Sequence, residues 1–456
     1  MSMPSLKRRL LRDSVLALGL LVLMELTVRL GGWADGPNPS IPDNAVVELG
    51  AGEGPYLETT QDGRLQTGRA EVEAGRMNDL VFAAAPAAGI RRVVLLGGSV
   101  AKGVPHDHDP ARTIAGRLSV HLQQAGIRAE VLNLAGTSYT TAHVARVAQA
   151  VMAAQPDAVV VYSGGNEHRA FTRRLWTENQ GWRGAVRVSQ GLHLIRLLGR
   201  LAALLRGEER AGPAPDAVHE VIAGQSALVA DVMARLLADS GLDGLPTWGD
   251  DGVPMRRDPG AIAVVDAYRA SLQAVLDAAE GAARSPVVLF VKPPANRYTP
   301  PQLSLLTPGI SREREDEFRR LFDLGAQAQR AQDCRSALQS FEAALAIDTL
   351  HADTWHQHGK CLLELGDPSG TARRNLDIAL ELDFASDRAG RTLHAVVDEL
   401  VEATTAHTVD LSADFGPQQD YGRRVFVDHV HLKQSGQDLI GLRVAEALAP
   451  LLQARP

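Results

Sequence analysis

Hydrophobic residues in this chain fall into short uninterrupted runs, separated by longer segments in which apolar positions recur with helical spacing. The runs occupy 93–96, 129–136, 157–162 and 286–291. Helical spacing follows the first three, as in the segment 141–154. Continuous apolar runs are typical of strands buried on both faces, and their alternation with helices predicts a doubly wound α/β domain with a parallel sheet.

Small or polar residues stand where three of these predicted strands end, namely Ser99 after two glycines, Gly136, and Asn166. Because the carboxyl ends of parallel strands meet at one edge of a sheet, we expect these residues to lie close together. A serine hydroxyl beside a glycine N–H and a side-chain amide suits nucleophilic attack with stabilisation of an oxyanion. Taken singly, each residue fits a simpler role, because Ser99 and Asn166 can cap helices and Gly136 can permit a turn.

A base for the serine is available near the other end of the chain. Asp428 and His431 are three residues apart, just before a predicted closing helix over 434–452. In an extended turn both side chains can face one site, with the carboxylate orienting the imidazole. The sequence therefore predicts Ser99 as nucleophile, His431 as base and Asp428 as its partner, with His429 as the competing base.

A proline-rich loop, 292–301, follows the predicted strand at 286–291. Its residues Asn296 and Arg297 offer an amide and a guanidinium to a polar or anionic group of a substrate. We therefore predict a substrate-binding role for both. A solvated loop leaving the strand is the alternative, and the residues favour it slightly.

Between 315 and 383 the pattern changes to consecutive helices with tetratricopeptide spacing. The marker glycines Gly325 and Gly359 stand 34 residues apart, which is the period of that repeat. Two repeats are too few for a free-standing solenoid, so we expect them to pack on the α/β domain. Stacked helix pairs form concave faces that bind peptides, which makes a protein partner possible here.

Basic residues between Lys7 and Arg12 precede an uncharged run, 14–24, at the start of the chain. This pattern predicts an uncleaved signal anchor over 1–34, with the N-terminus inside and the remaining chain on the periplasmic or extracytoplasmic side of the cytoplasmic membrane. Cleavage before Asp35 is the alternative. A basic amphipathic segment, 190–206, is expected to pack on its own domain, with a membrane surface as the second possibility.

Composition narrows the classes of function. The chain has 456 residues, of which 45% are hydrophobic, so it can hold more than one domain. A net charge of −7 without a long basic run argues against nucleic acid as a partner. The two cysteines, Cys334 and Cys361, have no metal-ligand spacing and are expected to be buried, with a disulfide as the minority alternative. The alternating segment 106–109 (H-D-H-D) is more typical of a solvated loop than of a metal site, and we expect no metal and no cofactor.

Four motifs in order resemble those of SGNH (GDSL-type) hydrolases, over about 89–170 and 285–450. More narrowly, the chain is similar to membrane-anchored bacterial proteins that carry tetratricopeptide repeats before the Asp-x-x-His segment. The motifs are G-G-S-V at Ser99, N-L-A-G at Gly136, G-G-N-E at Asn166, and D-H-V-H from Asp428 to His431. Two residues depart from the family pattern, Gly98 and Glu167, each standing where aspartate is usual.

The resemblance implies a flavodoxin-like sheet in which Ser99 is the nucleophile and His431, held by Asp428, is the base. It also implies an oxyanion hole formed by the Ser99 N–H, the Gly136 N–H and the Asn166 side chain. The expected organisation is an anchor (1–34), the first part of the hydrolase domain (35–314, loop-rich to about 88), two repeats (315–385) and the completing part of the hydrolase domain (386–456).

The expected function is that of an exported serine esterase. It would hydrolyse small acyl esters, such as O-acetyl groups on an envelope glycan, through an acyl-serine intermediate. Two alternatives stay open: an O-acyltransferase that uses the same triad, and an inactive scaffold that binds protein partners through the repeats.

Overall fold

The computed structural model describes residues 55–178, 234, 245–412, 414–416 and 422–455. Almost all of them belong to one compact unit, made of 41–173 and 233–456. The predicted anchor at 1–34 and the amphipathic segment at 190–206 lie outside the described residues. Within the described part of the chain, no helix is both long enough and apolar enough to cross a membrane.

The described chain folds into ten strands and twelve helices, with two short 3-10 turns at Pro110–Arg112 and Met152–Ala154. The strands are β1 (Leu57–Thr59), β2 (Leu65–Thr67), β3 (Val81–Phe82), β4 (Arg91–Gly97), β5 (Ala129–Asn133), β6 (Ala158–Tyr162), β7 (Thr247–Trp248), β8 (Pro254–Met255), β9 (Val287–Lys292) and β10 (His407–Asp410). The helices are α1 (Arg69–Glu73), α2 (Ser99–Lys102), α3 (Ile114–Gln124), α4 (Thr141–Val151), α5 (Glu167–Glu178), α6 (Pro259–Glu280), α7 (Arg312–Arg330), α8 (Cys334–Ile347), α9 (Ala352–Glu364), α10 (Thr371–Glu381), α11 (Arg391–Ala403) and α12 (Gln434–Gln453).

Five parallel strands form the central sheet, in the order β10-β9-β6-β4-β5. Counted along the chain from β5 to β10, this is the order 2-1-3-4-5 of flavodoxin-like sheets. The predicted parallel α/β architecture is therefore confirmed. The strand order reverses between β4 and β6, and such a reversal opens a crevice at the carboxyl ends of the strands.

Helices cover both faces of the sheet, as the interior strand β4, which is apolar on both faces, requires. Val93 and Leu95 share a buried cluster with α3 and α12, while Val94 and Leu96 alternate to the opposite face. The helices α4 and α6 pack together, and α4 contacts β4. The four side chains from Val93 to Leu96 are fully buried, which explains why this part of β4 appears in the sequence as an uninterrupted apolar run.

The segment before the sheet is more ordered than the sequence suggested. We expected 35–88 to be rich in loops, yet its described part holds a small antiparallel sheet, β1-β2-β3. These strands are only two or three residues long, too short to show a period of two in the sequence.

The predicted repeat segment folds into the four helices α7 to α10, of which α7 packs on α8 and α9 packs on α10. A side chain at Gly325 would lie 2.5 Å from the ring of Phe341, and one at Gly359 would lie 3.1 Å from Leu376. Both glycines therefore permit close helix contacts. Both cysteines are buried and reduced, and the Cys334 Sγ donates to Glu364 Oε2 at 2.9 Å.

Polar contacts hold these helices to the loop after β9. The carboxylate of Asp383 accepts the N–H groups of Gln302 and Leu303, and the Thr307 N–H donates to Asp348. The expected packing of the repeat segment on the α/β domain is thus visible in its hydrogen bonds. Its protein partner stays a prediction.

Candidate active site

Ser99 is the first residue of α2, two residues after the end of β4 at Gly97. A side chain at Gly97, where φ is 157°, would overlap the carbonyl of Tyr162 at 2.1 Å. One at Gly98 would lie 2.9 Å from the Asn166 amide nitrogen. The two glycines therefore let the end of β4 approach β6 closely, and they place the hydroxyl in the crevice where the strand order reverses.

The hydroxyl of Ser99 is joined to an imidazole and a carboxylate in one chain of hydrogen bonds. His431 Nε2 lies 2.9 Å from Ser99 Oγ, and His431 Nδ1 lies 2.8 Å from Asp428 Oδ2. The second carboxylate oxygen of Asp428 accepts the N–H groups of Val430 and His431, at 2.9 and 2.7 Å. This is the arrangement in which an imidazole can take the proton of a serine.

The environment of Asp428 keeps its carboxylate ionised. Partial burial acts to raise its pKa, but the hydrogen bonds from the His431 N–H and imidazole and from the Val430 N–H outweigh it and lower the pKa below the ordinary value. An ionised carboxylate fixes Nδ1 as the protonated nitrogen and leaves the lone pair of Nε2 directed at Ser99.

The turn that carries Asp428 and His431 is closed by its own backbone. The Val427 N–H donates to the carbonyl of His431, and the Lys433 N–H donates to Val425, both at 2.8 Å. Leu432, which is fully buried, anchors the turn in the core. Sequence alone could predict this pair, because both residues lie within one locally closed turn.

The competing histidine has a different partner. His429 Nε2 lies 2.6 Å from Asp387 Oδ2, so each of the two imidazoles has its own carboxylate. Only the imidazole of His431 is placed against Ser99.

Of the predicted oxyanion donors, the structure brings two to the site. The Asn166 amide donates to the carbonyl of Tyr139 at 2.9 Å and lines the pocket beside Ser99. The Ser99 N–H makes no hydrogen bond to any described residue, as expected in the first turn of a helix. An amide nitrogen carries two N–H groups, so one N–H of Asn166 remains, beside the Ser99 N–H, to receive an oxyanion.

Gly136 corrects the prediction. Its N–H donates to the carbonyl of Gly97 at 3.0 Å, so this donor is already used to hold the end of β4. A side chain at Gly136 would overlap the ring of Tyr139 at 2.5 Å. Two residues later Ser138 has a positive φ of 63°, uncommon outside glycine, in the turn that brings the Tyr139 carbonyl to Asn166.

Glu167, which directly follows Asn166, supports it. Its buried carboxylate accepts the Asn166 N–H at 2.8 Å, and the N–H and hydroxyl of Thr141 at 2.9 and 2.5 Å. Burial raises its pKa, against the effect of these hydrogen bonds. The residue thus ties the start of α4 to the Asn166 turn, a role that the sequence did not reveal because Thr141 is distant along the chain.

Asn296 and Arg297 were predicted to bind substrate, and the structure engages both elsewhere. The Asn296 amide donates to the carbonyl of Asp428 at 2.7 Å, and its oxygen accepts the Tyr298 N–H. Arg297 forms an ion pair with Asp377 of α10. Both are more than 90% buried, so the solvated-loop alternative is wrong as well. Their polar groups hold the loop after β9 to the turn that carries Asp428 and His431, called the triad turn below, and to the repeat helices.

The H-D-H-D segment has structural contacts. Asp107 pairs with Lys102 at 3.2 Å, and the Asp109 side chain accepts the Ala111 N–H at the start of a 3-10 turn. Within the described ranges, no group of three or more His, Cys, Asp or Glu side chains is arranged to hold a metal ion.

A small pocket of about 40 Å³ opens beside Ser99. One part of its wall is apolar or aromatic and another part carries charged groups. Its lining includes Tyr139, Tyr162, Pro293, Pro294, Asp387 and His429. This volume favours a small substituent next to the reacting hydroxyl.

Comparison with known proteins adds little to the geometry. No protein-family model matches the chain, and no curated protein matches it. Among solved structures, the crystal structure of the lipase/acylhydrolase from Enterococcus faecalis is similar, with 11% identity and a TM-score of 0.33 over 80% of this chain and 99% of that chain. The chemistry of the site is therefore derived from its own contacts.

Asn296 provides a test of its structural role. Replacing Asn296 with Ala removes the donor to the buried Asp428 carbonyl, so we expect the free energy of unfolding to fall by about 1–3 kcal/mol in urea denaturation. The exposed amide Gln61 is the control, and Gln61→Ala should change stability by less than about 0.5 kcal/mol. Unchanged stability together with a raised KM would instead restore Asn296 as a substrate ligand.

Proposed function

We propose that this protein is an SGNH-type serine hydrolase that cleaves small acyl esters through an acyl-serine intermediate. The observation that carries the proposal is the continuous hydrogen-bonded chain from Ser99 through His431 to Asp428, with distances of 2.9 and 2.8 Å. An intact triad beside an open pocket also disfavours the alternative of a vestigial site on a protein-binding scaffold.

The mechanism follows from the positions of these groups. Ser99 Oγ attacks the ester carbonyl while His431 Nε2 takes its proton, and the negative charge on the carbonyl oxygen is received by the Ser99 N–H and the Asn166 amide. The imidazolium then protonates the departing alcohol, which leaves an acyl-serine. Water, deprotonated by His431, attacks the acyl group, releases the acid and restores Ser99.

The size of the pocket supports a small acyl group, and acetyl is the class we propose, carried on an envelope glycan. Transfer to a sugar hydroxyl instead of water would use the same steps, with the acceptor alcohol deprotonated by His431. Hydrolysis stands first because it requires no acceptor other than water.

Two substitutions test the assignment directly. With a chromogenic acetate ester and the full-length chain in detergent, Ser99→Ala and His431→Ala should each lower kcat by roughly three to six orders of magnitude, because each removes a group that acts in the transition state. A fluorophosphonate should label the unsubstituted chain and not Ser99→Ala. Ser336→Ala, at an exposed serine of α8, is the control and should retain activity and labelling. Hydrolysis that persists in Ser99→Ala would remove the assignment.

Acyl length provides a second test. Because the pocket beside Ser99 is small, kcat/KM should fall at least about tenfold from an acetate to an octanoate ester of the same aryl alcohol, measured on the unsubstituted enzyme. Equal or faster cleavage of the octanoate would show that the acyl chain occupies another surface and would contradict the preference for small acyl groups.

We also propose that the enzyme is anchored in the cytoplasmic membrane and faces outward. The basis is the sequence alone, in which Lys7 to Arg12 precede the uncharged run at 14–24. Alkaline phosphatase fused after Ser40 should be active in a bacterial host, because this reporter folds only when exported. An inactive fusion, with a cytoplasmic reporter active at the same position, would reverse the orientation.

A further inference from the structure

A second imidazole–carboxylate pair lies in the wall of the pocket and takes no part in the mechanism above. His429 Nε2 is 2.6 Å from Asp387 Oδ2, and both residues line the pocket beside Ser99. The Asp387 side chain is 2% exposed, whereas that of His429 is 40% exposed. The pair therefore consists of a buried carboxylate and a half-exposed imidazole that faces solvent at the site.

Asp387 reaches the pocket in the loop that connects α10 to α11. A side chain at Gly165 would lie 3.2 Å from the carbonyl of Asp387, and one at Gly164, where φ is 111°, would lie 3.1 Å from Ala389. The two glycines before Asn166 therefore do more than shape a turn. They let the loop that follows the repeat segment close one side of the pocket.

The loop is fixed without help from the pair. The buried guanidinium of Arg388 donates to the carbonyls of Asn296 and Thr299 at 2.9 Å, and to the carboxylate of Asp383 at 3.0 Å. On the other side, the triad turn is held by the Asn296 amide and by its own backbone hydrogen bonds. Holding the two segments in place therefore does not explain the contact between Asp387 and His429.

The carboxylate of Asp387 retains unused capacity to accept hydrogen bonds. Both of its oxygens are buried, and neither makes a well-formed hydrogen bond to a described residue, although Oδ2 lies 2.6 Å from His429 Nε2. Apart from His429, its nearest cation is Arg169 Nη1, at 3.9 Å from Oδ2. A buried carboxylate without full pairing is costly, so its presence in a pocket wall favours a ligand that donates to it.

The imidazole supplies the complementary group. Hydrogen bonding to Asp387 raises the pKa of His429 despite partial burial, which favours the protonated ring. A protonated imidazole donates from both nitrogens, and Nε2 is occupied by Asp387. Together the pair presents an acceptor and a donor, the two roles that one hydroxyl group satisfies.

We propose that Asp387 and His429 recognise the alcohol part of the ester by binding a free hydroxyl group near the esterified oxygen, so that the preferred substrate is an ester of a polyol. The inference rests on the proposed function, since it assigns the alcohol side of that same pocket. It makes the two residues determinants of specificity, outside the proton transfers of the triad.

The test compares two acetate esters on the full-length chain: monoacetylated glycerol, which carries free hydroxyls, and 4-nitrophenyl acetate, which carries none. The quantity measured is the kcat/KM for the glycerol ester divided by the kcat/KM for the aryl ester. We expect Asp387→Asn and His429→Ala each to lower this ratio about tenfold, because a hydrogen bond to a charged group is lost. His407→Ala, at an exposed histidine of β10, is the matched control and should leave the ratio unchanged.

A ratio that stays constant in both variants overturns the inference. That includes equal losses on the two esters, which would mean that the pair only positions the turn of Asp428 and His431.

Calorimetric binding of monoacetylated glycerol to Ser99→Ala separates this inference from the proposed function. Adding Asp387→Asn should weaken that binding about tenfold, and unchanged binding would refute the inference. If the unsubstituted chain cleaves neither ester yet binding weakens in this way, the hydrolase assignment fails and the hydroxyl site stands.

Discussion

The hydrogen bond between Ser99 and His431 joins residues that are 332 positions apart, and the rest of the fold maintains its 2.9 Å distance. Closing so long a loop costs chain entropy, which must be offset by contacts near the closure. The closing helix supplies them, since the buried Gln437 side chain accepts the Ile114 N–H at 2.9 Å and Gly441 allows α12 to approach the backbone of α3 closely. Docking of α12 on α3 therefore places His431, three residues before the helix, beside the end of β4.

Much of the sheet and of the triad could be predicted, because buried strands and the Asp428–His431 pair each show a pattern within a short stretch of sequence. A strand buried on both faces appears as an apolar run, and Asp428 and His431 share one turn. The predictions failed where a group's partner lies far along the chain. We expected Gly136, at the end of the run 129–136, to present a free N–H, but this N–H donates to the carbonyl of Gly97 and continues the hydrogen bonding of β5 to β4 beyond Asn133. No pattern within that run shows where this N–H is directed.

Buried polar residues were the hardest to interpret, because residue type does not distinguish binding from support. Asn296 and Glu167 both have the hydrogen-bonding groups of a ligand site. Asn296 instead bonds to the carbonyl of Asp428, and Glu167 bonds to the N–H of Asn166. The loop that carries Asn296 is covered by the repeat helices, where His356 lies 2.9 Å from the carbonyl of Tyr298. Its burial depends on helices that follow it in the chain, so a proline-rich segment looked like a surface loop.

The residues around the pocket come from two separate parts of the fold. Ser99 and Asn166 come from the carboxyl edge of the sheet, whereas Asp387 comes from the segment that follows the repeat helices. The connection is rigid, because Asp383 bonds both to the loop after β9 and to Arg388, the neighbour of Asp387. If Asp387 binds the alcohol as we propose, substitutions in this segment will change which alcohol is accepted while the bond from Ser99 to His431 stays intact.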